Sequence, residues 1–343
     1  MKAIVIHKAR DLRIEDREEA VPGAGEVAVA IQRGGICGSD LHYYRHGGFG
    51  VVRLQEPMVL GHEVAGEITA VGAGVTGLSV GDAVAINPSH PCGQCAFCQK
   101  GQHNHCLDMK FYGSAMRMPH VQGAFQQVLV AGAAQCHVIA PGITIEEAAF
   151  AEPFAVTLHA IVRAGSLAGK RLLVTGCGPI GALAIIAARV HGAREIVATD
   201  VSDFTLDLAR KVGADSTVNV AAGGAALAAF KQNKGYFDVM IEASGSEAAL
   251  RDGFDCLKPR GRLVQLGLGG EVTLPFNLVV AKEIELVGSF RFHEEFGLAV
   301  DLINHRRVDL KPLLTGVLPV RDAVKAFDLA ADRSRAMKVQ IAF

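Results

Sequence analysis

The sequence predicts an α/β protein of two domains, one β-rich and one built on a doubly wound parallel sheet. Three observations predict it. The chain has 343 residues, more than one compact domain usually needs. Near residue 153 the texture switches from Gly-rich, short β-prone runs to buried strands alternating with helical stretches. At the first of the later strand-to-helix junctions stands a G-x-G-x-x-G turn. The expected boundaries are 1–150 and 286–343 for the β-rich domain and 151–285 for the parallel-sheet domain.

Half of the residues, 50%, are hydrophobic, so the chain can bury a large core. A formal charge of -1 provides no electrostatic reason to expect nucleic acid or an anionic membrane as partner, and small ligands fit better. The opening "MKAIVIHKARDLRIED" lacks both a secretory apolar region and the Arg/Ser-rich character of a transit peptide. The run "IGALAIIAARV" falls short of the roughly 20 residues of a membrane span. A soluble, cytoplasmic protein is expected, and in a reducing compartment clustered thiols are metal ligands more often than disulfides.

In chain order, "AIVIH", "EVAVAIQRGG" and "VAGEITAVGAGV" read as strands of the β-rich domain. "KRLLVTG", "EIVATD", "DSTVNV", "FDVMIEASG" and "GRLVQLG" read as buried parallel strands, with "PIGALAIIAARVHG" and "DFTLDLARKVG" as helices between them. The Ala-rich "AAGGAALAAF" (221–230) reads as an ordinary surface helix. From about residue 285 short strands return, and "MKVQIAF" is expected to close the first domain.

Cys92, Cys95, Cys98 and Cys106 form a C-x2-C-x2-C-x7-C loop. Four thiolates in one short excursion can close a tetrahedral zinc shell and leave no place for substrate, so this cluster reads as scaffolding. An iron–sulfur cluster uses the same residue type, but its bacterial run ends C-x3-C-P. Chemistry must lie elsewhere. Cys37 in "GGICGSDLHYY" and His62 and Glu63 in "LGHEVAG" form a mixed sulfur, nitrogen and oxygen set, which leaves a fourth position open at a catalytic zinc. Adjacent residues on a helix point about 100° apart, which disfavours direct binding by both His62 and Glu63. Taken singly, Cys37 also reads as a small buried hydrophobe and His62 as a core histidine.

"LLVTGCGPIG" carries Gly176, Gly178 and Gly181 from strand into helix, with Pro179 and Ile180 opening the helix. The first glycine permits the tight turn, the second lets backbone approach a pyrophosphate, and the third lets helix pack on strand. The next strand ends at Asp200, where a carboxylate accepts ribose hydroxyls and repels a 2′-phosphate, so NAD is expected over NADP.

Together these features, with "RGGICGSDLHYY", "PMVLGHEV", "VAINPSHPCG", "GSAM", "PHVQGAF", "AEPFAV" and "GSFRF", resemble the zinc-containing medium-chain dehydrogenases end to end. Within them the chain is similar to the polyol dehydrogenases of the sorbitol dehydrogenase type, and most to members that act on L-idonate. The resemblance implies a GroES-like catalytic domain beside a Rossmann domain, two zinc ions per chain, NAD, and a homo-oligomer, tetramer or dimer. Cys37, His62, Glu63 and Glu152 then map onto the catalytic zinc site, with the directly bound carboxylate left open between Glu63 and Glu152. Cys92, Cys95, Cys98 and Cys106 map onto the structural zinc. Ser39 and His42 occupy the proton-relay positions. Tyr43 and Arg291 face substrate. The implied reaction is reversible oxidation of a secondary hydroxyl, L-idonate to 5-ketogluconate, with hydride passing to NAD. Sorbitol or xylitol oxidation, a threonine dehydrogenase-like activity, and a non-catalytic zinc scaffold are the alternatives. An aldonate also brings a carboxylate that needs a partner; Arg291 suits it through its planar fork, with Arg117 and His120 as second choices.

Overall fold

The computed structural model describes residues 1–223 and 225–343. In the β-rich part a seven-stranded sheet runs in the order Cys136–Val138, Ala83–Ile86, Glu63–Val71, Glu26–Gly35, Lys338–Ala342, Leu314–Pro319, with Val128–Gly132 also paired to Glu26–Gly35. A smaller sheet orders Asp11–Asp16, Lys2–Lys8 and Met58–Val59. The strand Glu26–Gly35 alternates Val27, Val29 and Ile31 into a core shared with Ile4, Ile68, Phe125 and Phe327. "MKVQIAF" does return here: Gln340 pairs with Gly35 and Ile341 with Gly34 in antiparallel register.

The parallel sheet has six strands in the order Ser216–Asn219, Glu195–Asp200, Arg171–Thr175, Phe237–Glu242, Leu257–Gln265, Glu285–Gly288. Numbered along the chain that order is 3-2-1-4-5-6, the dinucleotide-binding arrangement in which ligands bind at the carboxyl ends of the strands near the reversal. Its inner strands Glu195–Asp200, Arg171–Thr175 and Phe237–Glu242 are buried on both faces because helices cover both, while the edge strands Ser216–Asn219 and Glu285–Gly288 are largely exposed. Leu172 and Val174 pack into one core, while Leu173 between them packs into the other with Val197, Phe237 and Met240.

Helix Ala151–Ala164 joins the two parts. Phe154, Leu158 and Ile161 lie in the same core as Ala65 and Ala85 of the β-rich part and Leu172 and Ile196 of the parallel sheet. Burial on this scale stabilises by about 1.5–3 kcal/mol for each large apolar side chain. It also places the helix's first turn, with Glu152, at the junction.

Two local expectations differ from the structure. The chain after residue 288 does not go directly into strands, because Phe296, Ala299, Val300 and Ile303 form a helical stripe and Glu295–Asn304 is a helix on that core. The stretch around 225–230 makes 3-10 turns, not a regular surface helix. Leu227 is buried while residues 225, 226, 228 and 229 are exposed, too narrow an apolar stripe to hold a longer α-helix. Among the described residues no helix is long and apolar enough to cross a membrane.

Candidate active site

Three strands and two helix starts converge at one point. Cys37 is the N-cap of helix Gly38–His46, its backbone N–H donating to Asp40 Oδ2 at 3.0 Å, and Gly47 ends that helix in the left-handed region at φ 68. His62 and Glu63 stand at the entry of strand Glu63–Val71, not on a helix, so the expected 100° divergence does not apply. One ligand atom each from Cys37, His62 and Glu63 lie within 4.8 Å of one another. Glu152, in the first turn of its helix, is 6% exposed and has His62, Glu63 and Cys37 as electrostatic neighbours.

The fit of a cation to this site follows from charge. Burial foremost, then the charges of Glu63 and Asp40, push the Cys37 thiol up to about 12. Burial likewise pushes Glu152 up to about 8; His62 pulls it down, while Glu63 and Cys37 push it further. Acidic groups crowded out of water in this way need a positive centre. His62 Nδ1 is buried without a hydrogen-bond partner, 3.9 Å from Asp40 Oδ1. A soft thiolate, an imidazole and a carboxylate are the donors of an open zinc site.

Glu63 is shared between this set and a buried cation. Lys338 Nζ, 3% exposed, donates to its two carboxylate oxygens at 2.7 and 2.5 Å and to the Ile36 carbonyl at 3.3 Å. Burial works against that ammonium, but the charges of Glu63 and Cys37 outweigh it and hold its pKa above the usual lysine value. Gly35, paired with Glu63 in the sheet, leaves the space; a β-carbon there would collide with Glu63 Oε2. Sequence alone pointed to neither Lys338 nor Asp40. A lysine inside the apolar "MKVQIAF" strand was the available signal.

Ser39 and His42 lie on the first and second turns of the Cys37 helix, with His42 exposed. Burial and then the cations His46, Arg333 and Arg45 hold His42 below the usual imidazole value. Tyr43, 2% exposed, accepts a hydrogen bond from Ala115 N–H at 3.0 Å. Arg291 has its guanidinium 4.2 Å above the Phe111 ring, and that ring lies 5.4 Å from the His62 ring. Its Nη2 meets the Met116 sulfur at 3.1 Å, and among the described residues it forms no ion pair. Arg117 instead pairs with Asp108 at 2.6 Å on the surface. His120 spends both ring nitrogens on backbone, accepting from Gln55 N–H at 2.9 Å and bonding the Arg117 carbonyl at 2.8 Å.

The four-cysteine lobe is compact. Its sulfurs lie within 4.8 Å of one another, Cys95 and Cys98 at 3.6 Å, and all four are free thiols. Four sulfurs about 2.3 Å from one zinc in a tetrahedron stand ~3.8 Å apart, so the cage has the right size. Backbone N–H groups of Cys92 and Asp108 donate to Cys106 Sγ at 3.2 and 3.3 Å, and Leu107 N–H to Cys95 Sγ at 3.5 Å. Such donors favour thiolates, and backbone hydrogen bonds bring Cys95 down to about 6.

At the sheet's reversal Gly176 has φ 82, and a β-carbon on it would lie 2.7 Å from Ser244. Gly178 is the N-cap of helix Pro179–Val190, Pro179 presets its first turn, Ile180 follows, and Gly181 packs so close to the Gly176 carbonyl that a side chain would collide. Asp200 Oδ2 accepts from Cys177 N–H at 2.6 Å, and Oδ1 from Val201 N–H at 2.7 Å. Arg333, which sequence alone also missed, lies over the turn: a β-carbon on Gly178 would stand 3.0 Å from its Nη1.

Comparison with known proteins agrees along the chain. Residues 23–141 match the family described as alcohol dehydrogenase GroES-like domain, and residues 179–305 that described as zinc-binding dehydrogenase. The chain is 43% identical over 316 residues to L-idonate 5-dehydrogenase (NAD(P)(+)) of Escherichia coli strain K12, covering 92% of this chain and 91% of that one. It is 36% identical over 343 residues to a sorbitol dehydrogenase of Gallus gallus, covering 99% and 95%. The crystal structure of L-idonate 5-dehydrogenase from Escherichia coli K-12 MG1655 superposes with a TM-score of 0.96 at 40% identity, over 100% of this chain and 98% of that one. A structure described as a short chain alcohol dehydrogenase of Escherichia coli CFT073 complexed with NADH has a TM-score of 0.91 at 28% identity, covering 100% and 99%. The GroES-like and Rossmann architecture, the open cysteine–histidine–carboxylate set and these relatives together establish that the chain belongs to the zinc-dependent medium-chain alcohol and polyol dehydrogenases, of the sorbitol dehydrogenase type.

Proposed function

We propose that the chain oxidises a secondary hydroxyl of a sugar acid, L-idonate to 5-ketogluconate, reversibly and with NAD. The observation that carries the sugar-acid reading is Arg291, a cation that forms no ion pair among the described residues, with Glu152 its nearest charge of opposite sign and the Phe111 ring between it and His62. Phe111 and Phe290 hold its planar fork at 4.2 and 5.1 Å, and an aldonate carboxylate meets such a fork with two hydrogen bonds. Cys37 and His62 would hold the catalytic zinc with Glu63, whose carboxylate converges with them, or with Glu152 as the exchanging carboxylate, and Cys92, Cys95, Cys98 and Cys106 the structural one. When bound, zinc would supply Lewis-acid polarisation of the hydroxyl and NAD would supply the hydride acceptor. The chain's own residues do the rest. Arg291 fixes the carboxylate end of the substrate, and Tyr43 walls the pocket. Ser39 takes the hydroxyl proton and passes it to the exposed His42, where partial burial and nearby cations favour its release to water. Gly176, Gly178, Pro179, Ile180 and Gly181 cradle the cofactor pyrophosphate under Arg333, and Asp200 takes the ribose hydroxyls.

In this reading 1–150 and 286–343 form the catalytic domain and 151–285 the cofactor domain, in a cytoplasmic homo-oligomer. Sorbitol- or xylitol-type oxidation is the second reading, supported by relatives such as the Gallus gallus sorbitol dehydrogenase and the D-xylulose reductase A of Aspergillus niger, 35% identical over 95% of this chain. A panel of aldonates and alditols screened for NADH production tests the two. Turnover confined to alditols would replace the first reading by the second.

A further inference from the structure

We propose that the four-cysteine lobe has a second task, to position Arg291, and that Asn104 is the residue through which it does so. The inference rests on the reading of Arg291 as the substrate's carboxylate partner. The segment carrying Arg291 is gripped on both sides. Asn104, buried and two residues before the last cysteine of the lobe, donates from Nδ2 to the Phe290 carbonyl at 2.9 Å. The neighbouring His105 ring stacks on the Phe290 ring with centroids 5.9 Å apart. On the other side His103 stacks on His293 at 3.8 Å, 22° from parallel. Between these contacts Phe292 points away into the core beside Phe296, and Arg291 points to the Phe111 ring and the metal-ligand cluster.

The grip is needed because the backbone at Arg291 is unfavourable. Its φ is 53, the left-handed region that a residue with a β-carbon avoids unless its surroundings impose it. Released from Asn104, the segment can relax toward ordinary φ values, and the guanidinium then leaves the Phe111 face. The lobe's C-x2-C-x2-C-x7-C loop holds Asn104 within three residues of the stacked His103 and the ligand Cys106, so a filled cage fixes the donor and the stacking ring together.

The test is a double-mutant cycle between Asn104→Ala and Arg291→Leu in the full-length protein, with zinc content measured for every variant. Loss of one positioning hydrogen bond predicts a rise of about 3- to 10-fold in KM for L-idonate in Asn104→Ala, with kcat and the KM for NAD little changed and zinc content as in wild type. In the Arg291→Leu background Asn104→Ala should add nothing, because its effect passes through the guanidinium. If Asn104→Ala sheds zinc, Asn104→Leu replaces it in the cycle, close to asparagine in size and neutral while losing the Nδ2 donor. Effects that multiply in the double variant, or an unchanged KM in a zinc-replete Asn104 variant while Arg291→Leu alone is impaired, overturn the positioning role and leave the function of Arg291 standing. An Arg291→Leu variant with unaltered KM for L-idonate overturns the reading of Arg291 itself, and the positioning role with it.

Discussion

Lys338 offers the sharpest structural prediction. Its ammonium is 3% exposed and is the group that meets both oxygens of the buried Glu63 carboxylate, at 2.7 and 2.5 Å. In Lys338→Met the aliphatic stem is kept and the charge is lost, which leaves a carboxylate 1% exposed without its cation. Breaking a buried pair from one side costs about 3–5 kcal/mol. At ~2.1 cal/mol/K per residue, the unfolding entropy of a chain this size is about 0.7 kcal/mol/K, so Tm should fall by about 4–7 °C if the chain melts as one unit. The loss should be larger after chelation than in zinc-loaded protein, because a metal at Cys37 and His62 is the other cation that Glu63 can reach. The double variant Lys338→Met/Glu63→Gln removes both charges and should recover most of the loss. Differential scanning calorimetry on loaded and chelator-treated protein makes the measurement. A single variant within 1 °C of wild type in both states, or a double variant less stable than the single, would refute the reasoning.

The two thiol sites should fail differently. Cys37→Ala should abolish turnover in a folded protein that still binds NADH, whereas Cys98→Ala should first unfold the 91–106 lobe; equal thermal losses would contradict the division. Asp200→Ser should weaken NAD and improve NADP in kcat/KM, and a wild type that already favours NADP would remove Asp200 as the selector. Glu295 lies against His159 at 2.9 Å and accepts from His293 N–H at 2.9 Å; burial opposes its charge, but these partners outweigh it and bring its pKa down to about 2. A depressed carboxylate stabilises above its unfolded pKa and loses that contribution as pH falls, so Glu295→Gln should lose up to about 3 kcal/mol in urea denaturation at pH 7. The difference from wild type should close between about pH 4.5 and about pH 2; a constant difference across that range would contradict the assignment.

What could be read in advance was what lies close together in sequence. The inner parallel strands announce themselves because both faces are buried, as in "LLVT" and "IVAT", and the Gly176 to Gly181 turn by its spacing at a strand's end, where side chains at Gly176 and Gly181 would meet backbone. The four cysteines sit in one loop. The rest depended on partners far along the chain. Lys338 reaches Glu63 only because its strand pairs beside Gly35, a register that no local pattern in "MKVQIAF" specifies. His62 and Glu63 looked compatible with a helix because two adjacent polar residues carry no period; the strand after them settles their geometry. The bond from Asn104 to Phe290 joins residues that nothing local connects. Arg117 and Arg291 are alike as letters, and it is a surface ion pair with Asp108 that separates the first from the site.

The central claim is that this site is built for a substrate carrying a carboxylate. It is tested most directly by kcat/KM for L-idonate against that for the matching neutral alditol, measured with NAD on zinc-replete enzyme. A charge-assisted hydrogen bond that the alditol cannot make is worth roughly 2–3 kcal/mol, so the aldonate should be preferred by about 30- to 150-fold. A ratio at or below one would contradict the account and leave a neutral polyol as the substrate.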